Sequence, residues 1–460
     1  MAGKKPCPLI IDPKERHVDS NKPLDLRLIF RTWLPLAASW ILMGAELPLL
    51  SAVVARLENP EIHLAAYSGI VFPLALVIES PVIMLLTAST ALSRDQNAYE
   101  KLRKVMTTLG FVLTILHILI AFTPLYDEVA KLLVRDADTL AKVLEPGRIG
   151  LQIMTPWTWA IAHRRFHQGV LIRFGKASEV GWGTGVRLIA DAAILAIGFT
   201  LAKYQGIVVA TSAVAVGVIA EAFYIRWKVQ AILHGPLKEA KPKEPLITMR
   251  EVILFYLPIA FAPTIGLLGQ PILTGAMSRL PDPLMTLAVW PTLNSLIFML
   301  RSAGIAYSEV VIALLDNPNG RQQLRRFAIT LSLTLSAPIL ILCLTPLIDI
   351  WFLKFIGIKP ELAKIGKSAL WFAVFLPAIT TWGCYFEGIL VHAKRSSPVT
   401  EAVVFFTSTL FIFLLIVVLN QSMPGLNAAV CAMTLGSLSQ MLWLWWRSLG
   451  LAKNDPQPSN

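Results

Sequence analysis

The chain has 460 residues, of which 55% are hydrophobic and only 15% are charged. A water-soluble protein of this length would need far more charge on its surface, so the composition excludes a soluble globular protein. The net charge of +12 fits the basic cytoplasmic loops of a membrane protein and does not by itself indicate a nucleic-acid partner.

Apolar runs of about 20 residues recur along the chain, and each can cross roughly 30 Å of hydrocarbon as a helix. The runs are continuous rather than alternating, which favours helices over a β-barrel. The polar N-terminal stretch has no apolar segment beside its lysine pair, so no signal peptide is predicted. Twelve membrane spans are predicted, at 28–52, 64–92, 105–126, 149–172, 183–202, 206–228, 251–275, 287–315, 327–350, 368–392, 399–421 and 425–447.

Lysine and arginine concentrate on one side of these spans. They fill the N-terminal tail and the loops after spans 2, 4, 6, 8 and 10, whereas the opposite side carries few. The positive-inside rule therefore predicts a multi-pass protein of the cell (inner) membrane with both termini in the cytoplasm. On the opposite side, the amphipathic segments 127–148 and 351–367 are predicted to be surface helices.

The two halves of the chain repeat each other. PLLSAVVARLENP begins at Pro48, and PILTGAMSRLPDP begins 223 positions later at Pro271. Arg56 then aligns with Arg279. Prolines and arginines are costly inside spans, so their shared spacing indicates a true repeat. The sequence predicts an N-terminal six-helix lobe, a basic cytoplasmic linker and a C-terminal six-helix lobe, at 1–228, 229–250 and 251–460.

Six spans in each lobe give both lobes the same orientation, related by an axis along the membrane normal. The expected fold is an all-α polytopic membrane protein, with twelve transmembrane helices in two parallel-repeat six-helix bundles around a central cleft. The major facilitator fold has such halves too. However, the loop SRDQNAYEKLRK after span 2 lacks the glycine of that fold's Gly-Asp-Arg-type signature.

Three stretches carry a family resemblance: LPLAASWILMGAELPLLSAVVARLENPEIHLAAYS, STALSRD and RRFHQGVLIRFGKAS. They resemble the multidrug/oligosaccharidyl-lipid/polysaccharide (MOP) superfamily, which includes the multidrug and toxic compound extrusion (MATE) transporters. Within it, GAELPLL, HLAAYS and SEVVIALLDNP look most like the progressive-ankylosis (ANK-type) anion exporters. The resemblance covers nearly the whole chain and implies a MATE-like fold. It also implies a cation-coupling acid in span 1, which places Glu46 near that role.

Ionisable residues inside the spans are expensive and are the candidate functional groups. Glu79 lies in the middle of span 2, just before Pro81, where a kink is expected. Arg301 lies at a near-equivalent level of span 8. We expect both to face the cleft, with Arg301 binding an anionic group of the substrate and Glu79 competing for it. The alternative is an ion pair between the lobes that only stabilises one state.

Span 4 carries a cluster of polar residues. His163 and His167 are four apart, as are Arg164 and Gln168, so each pair shares a helix face. With Arg165, these residues are predicted to line an inward-facing anion vestibule. The alternative is that they extend to cytoplasmic phosphates.

Two further acids complete the predicted site. Asp191 is predicted to share the ion-coupling role with Glu46, although it can also pair with Arg187 one turn away. Glu309 joins the substrate-binding set, because it falls in a stretch that matches the ANK-type family.

The predicted function is secondary active transport, since the sequence has no P-loop and no recognisable catalytic set. A small organic or phosphate-containing anion would be exported by rocker-type alternating access. We expect no cofactor beyond a coupling H⁺ or Na⁺, no nucleic acid, no metal, and a monomer in the lipid bilayer. The alternatives are a MATE-type cation/drug antiporter and a lipid-linked saccharide flippase.

Overall fold

The structure is a computed structural model that describes residues 24–240, except 202, and 246–452, except 394 and 396. Within these ranges the regular secondary structure is entirely helical, which confirms the predicted all-α class. The basic residues of the tail before Leu24, and positions 241–245 of the predicted linker, lie outside the described residues.

Long helical segments follow one another along the described chain, and we number them α1 to α12. They are α1 (Leu26–Val54), α2 (Pro60–Leu92), α3 (Gln96–Phe122), α4 (Ala137–Ile153 continued by Thr155–Arg173), α5 (Ala177–Leu201), α6 (Gly206–His234), α7 (Met249–Met277), α8 (Pro283–Leu314), α9 (Gly320–Leu344), α10 (Pro360–His392), α11 (Ser397–Asn420) and α12 (Gly425–Ala452). Short connecting helices are Leu125–Leu133, Pro236–Glu239 and Leu347–Asp349, the last running into Ile350–Ile356. We call α1–α6 lobe 1 and α7–α12 lobe 2.

Eleven of these segments are long and apolar enough to cross a membrane, judged by length and composition over the described residues. The chain is therefore a multi-pass membrane protein. The segment that does not qualify is α4, whose second half carries His163, Arg164 and Arg165. The count of twelve spans thus rests on α4 being accepted as a polar span.

Two predicted surface helices have different boundaries in the structure. The segment 127–148 is not one helix, because the short helix Leu125–Leu133 ends and α4 already begins at Ala137. Asp136 caps α4, with its side chain accepting a hydrogen bond from the Thr139 backbone N–H (2.8 Å). This hydrogen bond holds the pKa of Asp136 below its usual value. Likewise, the end of 351–367 forms the start of α10.

The backbone follows the 223-residue repeat. α1 breaks at Ala45, and α7 breaks at the equivalent Leu268. Asn59 (φ 47°) and Asp282 (φ 53°) are also equivalent, and each adopts a left-handed conformation directly before the proline that opens the next helix. Asn and Asp tolerate this conformation better than other non-glycine residues. The repeat seen in the sequence is therefore a repeat of structure.

The breaks allow half of a helix to cross between the lobes. The first half of α1, up to Gly44, packs against α8 and α9 of lobe 2. The first half of α7, up to Leu267, packs against α2 of lobe 1 as well as against α11. Each lobe thus receives a half-helix from the other, and α1, α2, α7 and α8 form the interface around the central cleft.

Equivalent aromatic residues fix these half-helices. The indole N–H of Trp33 donates to the Ala303 carbonyl of α8 (2.8 Å). The hydroxyl of Tyr256, which is 223 positions after Trp33, donates to the Pro81 carbonyl of α2. Buried indole and phenol groups need such partners. Two side chains related by the repeat therefore anchor each half-helix to the opposite lobe at nearly equivalent positions.

Candidate functional site

A buried ion pair joins α4 to α6 inside lobe 1. Arg164 forms a salt bridge with Glu221, and the side-chain amide of Gln168 donates to the other oxygen of Glu221 (2.8 Å). Arg164 is 4% exposed and Glu221 is fully buried. Arg164 and Gln168 therefore share a face as predicted, but Arg164 does not extend to cytoplasmic phosphates.

A second ion pair joins α1 to α5. The guanidinium of Arg187 bonds the Glu46 carboxylate, whereas its Nε lies 3.9 Å from the carboxylate of Asp191. The predicted pairing of Arg187 with Asp191 is therefore the longer of its two contacts. Both predicted ion-coupling acids, Glu46 and Asp191, face one resident cation.

Asp191 connects the two ion pairs. It lies within electrostatic range of Arg164 and Glu221. Neither of its oxygens has a hydrogen-bond partner within the part of the chain that the structure describes. Its carboxylate packs against α6 at Gly217, where an added Cβ would overlap the Asp191 Oδ1. Helices α1, α4, α5 and α6 thus enclose one polar core in lobe 1.

Glu79 lies at the edge of this core. It is 4% exposed, and its Oε2 has no hydrogen-bond partner among the described residues. The charges nearest to it belong to Arg164 and Arg165 of α4. The helix that carries Glu79 ends at Ile83, two residues after Pro81, which agrees with the predicted kink.

Arg165 of α4 and Arg301 of α8 are each half-buried. The Nε of each lacks a hydrogen-bond partner among the described residues. Arg165 lies within electrostatic range of Glu79 and Glu221, whereas the titratable neighbour of Arg301 is the thiol of Cys384 on α10. The structure places Glu79 beside lobe 1 arginines, and no ion pair between Glu79 and Arg301 occurs in the described chain.

The two histidines of α4 share the predicted face, with ring centroids 4.2 Å apart. The Nδ1–H of His167 donates to the His163 carbonyl (2.8 Å). Arg103 of α3 and Arg226 of α6 lie within electrostatic range of His167. Arg226 was not among the predicted site residues, although an arginine within an apolar run is a signal of a functional position.

Glu309 belongs to α8 in lobe 2. It is exposed and sits in the first turn of Tyr307–Leu314, the last helical piece of α8. The structure therefore gathers most of the predicted residues in lobe 1, whereas Arg301 and Glu309 belong to lobe 2.

Comparison with solved structures identifies the fold of the chain. No protein-family model and no curated protein matches the sequence. Solved structures do match. An inward-facing multidrug resistance MATE family transporter of the MOP superfamily has 15% identity and a TM-score of 0.67, covering 92% of this chain and 99% of that chain. The chain has the fold of the MOP-superfamily transporters. This confirms the predicted MATE-like fold, while the ANK-type branch stays a prediction.

Two further structures with this MOP-type fold show how broad it is. The lipid II flippase MurJ, in an inward closed conformation, has 15% identity and a TM-score of 0.67, with 94% of this chain and 88% of that chain covered. A MOP superfamily transporter from Pyrococcus furiosus Vc1, described by the reverse polarity of its binding pocket, has 15% identity and a TM-score of 0.60 over 93% of this chain and 96% of that chain.

On the side of the MOP-type fold opposite Leu24 and Ala452, two arginines join the lobes. Arg56 of lobe 1 donates to the carbonyl groups of Lys354 (2.9 Å), Phe355 (2.9 Å) and Ile356 (2.6 Å) in lobe 2. Arg279 of lobe 2 donates to the Leu132 carbonyl in lobe 1 (3.1 Å). We call this pair of contacts the far-side seal.

An ion pair reinforces the far-side seal. The ammonium group of Lys359 lies 2.6 Å from the Glu61 carboxylate across the lobe boundary. The hydrogen bond to Glu61 raises the pKa of Lys359. Because this pair is exposed on the lysine side, its contribution to stability is small. It nevertheless places opposite charges across the seam that must part if the cleft opens on this side.

Proposed function

We propose that the chain is a secondary transporter that exports a small organic or phosphate-containing anion by rocker-type alternating access. The two lobes of a parallel-repeat fold can rock about their shared cleft. Proteins of this fold are named as a multidrug transporter and a lipid flippase. These names support a role in transport. The chemical class of the solute depends on the residues of this chain.

The observation that carries the anion proposal is the state of Arg301. It is half-buried within a membrane-spanning helix, and its Nε has no partner among the described residues. A cation in such a place is costly unless it is paired. A carboxylate or phosphate of a bound solute would supply the pair, since guanidinium groups bind both in a bidentate manner.

Arg165 supports the same proposal from the other lobe. Its guanidinium is half-buried, and none of the ion pairs found in the described chain includes it. An anion in the cleft could contact Arg301 in one lobe and Arg165 in the other. Glu79, which lies near Arg165, would then help to release the anion by competing for that guanidinium.

The proposal includes coupling through Glu46 and Asp191. Both acids already face the Arg187 guanidinium, so a bound Na⁺ would have to share the site with a fixed cation. A proton needs only one carboxylate oxygen, so it can bind Glu46 or Asp191 without the several oxygen ligands that Na⁺ requires. We therefore favour H⁺ over Na⁺ as the coupling ion. We also propose that both termini lie in the cytoplasm, that the protein is a monomer, and that it belongs to the ANK-type branch.

A second candidate function is export of an organic cation, and Glu79 favours it. A buried carboxylate with an unpartnered oxygen could bind an ammonium group. This function would use Glu79 as the substrate ligand and would leave Arg301 without a role in binding. Anion export therefore requires the side chain of Arg301, whereas cation export requires the side chain of Glu79.

The test is uptake into proteoliposomes that contain the purified full-length chain. Radiolabelled pyrophosphate, ATP and citrate are compared with a fluorescent cationic dye, with and without a proton gradient. Arg301→Gln is compared with Arg173→Gln, since Arg173 is an exposed arginine at the end of α4. Glu79→Gln provides the corresponding test for a cation.

We expect at least one anion to be taken up, and we expect Arg301→Gln to abolish that uptake while Arg173→Gln retains it. Uptake of the dye alone, lost in Glu79→Gln and kept in Arg301→Gln, would replace the anion proposal by cation export. If neither class of solute moves, the proposal of small-solute transport is wrong, and a lipid-linked saccharide becomes the substrate to test.

A further inference from the structure

A second group of basic side chains lies on the flank of lobe 1 that faces away from the central cleft. His163 and His167 are each two residues from Arg165 along α4, so both project about 160° away from it around the helix. Arg165 lies toward α2, which lines the cleft, whereas the histidine pair lies toward Arg103 of α3 and Arg226 of α6. This group is therefore separate from the cleft, and it does not depend on the proposed function.

The group lies near the helix ends on the side of the fold where Leu24 lies. Tyr99 and Arg103 belong to the first turns of α3, His167 belongs to the last turns of α4, and Arg226 lies about two turns before the end of α6. The positive-inside pattern assigns this side to the cytoplasm. We call the group the flank cluster, and its members are Tyr99, Arg103, His163, His167 and Arg226.

Two guanidinium groups of the flank cluster converge on one phenol. The hydroxyl of Tyr99, which is 2% exposed, lies within hydrogen-bond range of both Arg103 and Arg226. None of the ion pairs found among the described residues includes either arginine. A guanidinium group carries several N–H donors, so one shared phenol oxygen leaves most of them available. Two cations around a neutral acceptor repel each other, and an anion between them would replace that repulsion by attraction.

His167 adds a buried ring nitrogen without a partner. The side chain is 1% exposed, and its Nδ1–H donates to the His163 carbonyl (2.8 Å). Its Nε2 has no hydrogen-bond partner in the part of the chain that the structure describes. A buried polar atom in this state is costly and calls for an explanation. When the ring is protonated, Nε2 becomes a donor, and a bound anion would supply the missing partner.

We propose that the flank cluster is a second anion site and that it binds a phosphate group through Tyr99, Arg103, His167 and Arg226. Guanidinium groups bind phosphate oxygens through paired N–H groups, and these charge-assisted hydrogen bonds are strong. The donors come from α3, α4 and α6, so they approach the anion from different directions. A tetrahedral phosphate presents oxygens to all of them, whereas a planar carboxylate would satisfy fewer.

The phosphate can belong to a lipid headgroup or to a soluble phosphate compound. Trp159, one turn from His163 toward the middle of α4, is 38% exposed. Phe223 and Trp227 on α6 are 71% and 63% exposed. Such aromatic surfaces favour the boundary between hydrocarbon and water and would contact the upper acyl chains of an anionic phospholipid. The two sources share the phosphate chemistry and differ in whether these apolar surfaces contribute.

Binding to the purified full-length protein tests the site. Phosphatidylglycerol and phosphatidylcholine are titrated by native mass spectrometry, and glycerol phosphate is titrated by calorimetry in the same detergent. Arg103→Gln is the variant, and Lys104→Gln is its matched control, because Lys104 is the next residue and is also exposed. We expect phosphate binding to weaken about fivefold in Arg103→Gln and about thirtyfold in Arg103→Gln/Arg226→Gln. It should be unchanged in Lys104→Gln.

The ligands separate the two sources, and one further variant separates the two sites. Tighter binding of phosphatidylglycerol than of glycerol phosphate would identify the ligand as a lipid headgroup, and the reverse order would identify a soluble phosphate compound. Arg301→Gln should keep this binding, because Arg301 belongs to lobe 2. Equal binding by Arg103→Gln and Lys104→Gln, or a loss of binding in Arg301→Gln alone, would overturn the proposal.

His167 provides a readout that attraction to surface charge would not move. In protein labelled with ¹⁵N-histidine, saturating ligand should shift the Nε2 resonance of His167, which is assigned by its loss in His167→Phe. This measurement uses the parent protein, so it does not depend on the folding of a buried variant. An Nε2 resonance that stays unchanged at saturation would show that the ligand does not enter the flank cluster.

Discussion

Arg56 and Arg279 are equivalent in the 223-residue repeat, and each donates hydrogen bonds to the last carbonyl groups of a short helix in the opposite lobe. Each also bonds the carbonyl four residues before it on its own helix, at Ala52 and Gly275. Cations are favoured at the C-terminal ends of helices, where carbonyl groups lack partners. The two contacts of the far-side seal therefore have the same structure, one in each half of the repeat.

Loss of the far-side seal should open the cleft on that side. We expect Arg56→Gln to increase opening about fivefold, because an exposed charged contact contributes up to about 1 kcal/mol. Arg279→Gln should act similarly, and the double variant should approach thirtyfold if the two sites are independent. The measurement is labelling of a Ser278→Cys reporter by a membrane-impermeant maleimide, since Ser278 is buried at the lobe boundary and donates to the Leu133 carbonyl.

Arg148→Gln is the matched control for this experiment. Arg148 pairs with Asp127 at 2.5 Å on the same side, but both residues belong to lobe 1. Labelling should therefore stay at the level of the parent protein. An equal rise in Arg148→Gln and Arg56→Gln would mean that the seal has no specific role in closing the cleft.

The ion pair of Arg164 and Glu221 should dominate the stability of lobe 1. Glu221→Gln removes the carboxylate that pairs with the buried Arg164, and breaking a buried pair costs about 3–5 kcal/mol. Removal of both charges in Arg164→Gln/Glu221→Gln should recover much of this loss. Thermal unfolding of the purified protein in detergent measures both effects.

Glu179→Gln is the control for the buried pair. Glu179 lies at the start of α5 and pairs with Lys228 at 3.3 Å in a partly exposed position. Its loss should cost less than about 1 kcal/mol. A double variant as unstable as Glu221→Gln alone would contradict the view that the unpaired charge causes the destabilisation.

The helices and the repeat were predictable because local sequence encodes them. Apolar length predicted the spans, and the equivalence of Arg56 with Arg279 followed from shared spacing. The boundary errors have a local cause too: the cap at Asp136 starts α4 well before its apolar part. What the sequence could not show is the exchange of half-helices, because the breaks at Ala45 and Leu268 lie within apolar runs.

The partners inside the site were less predictable, because pairing between distant spans depends on tertiary packing. Spacing along α5 favoured Asp191 as the partner of Arg187, yet Glu46 from α1 makes the closer contact. Likewise, nothing in the sequence selected Glu221 for Arg164 from among the interior acids. Local spacing defines which side chains share a face, and packing of the lobe decides which of them meet.

Gly217 tests the packing of the polar core. An added Cβ there would overlap the Asp191 carboxylate, so we expect Gly217→Ala to destabilise the protein by about 1–3 kcal/mol. The control is Gly185→Ala on α5, where a Cβ would meet nothing within 4 Å. That change should be neutral or stabilising by up to about 1 kcal/mol through helix propensity. Similar unfolding temperatures for the two variants would contradict the close contact.

The position of Arg187 leads to a prediction about how transport depends on Na⁺. Because its guanidinium already faces Glu46 and Asp191, uptake by the parent protein should differ less than twofold between Na⁺ and choline buffers. Arg187→Gln leaves the two acids without a resident cation, so its uptake should fall at least tenfold or become dependent on Na⁺. Arg187→Lys keeps a positive charge and should preserve independence from Na⁺. A strict requirement of the parent protein for Na⁺, measured as uptake into proteoliposomes, would show that the guanidinium does not exclude the ion and that H⁺ coupling through this pair is wrong.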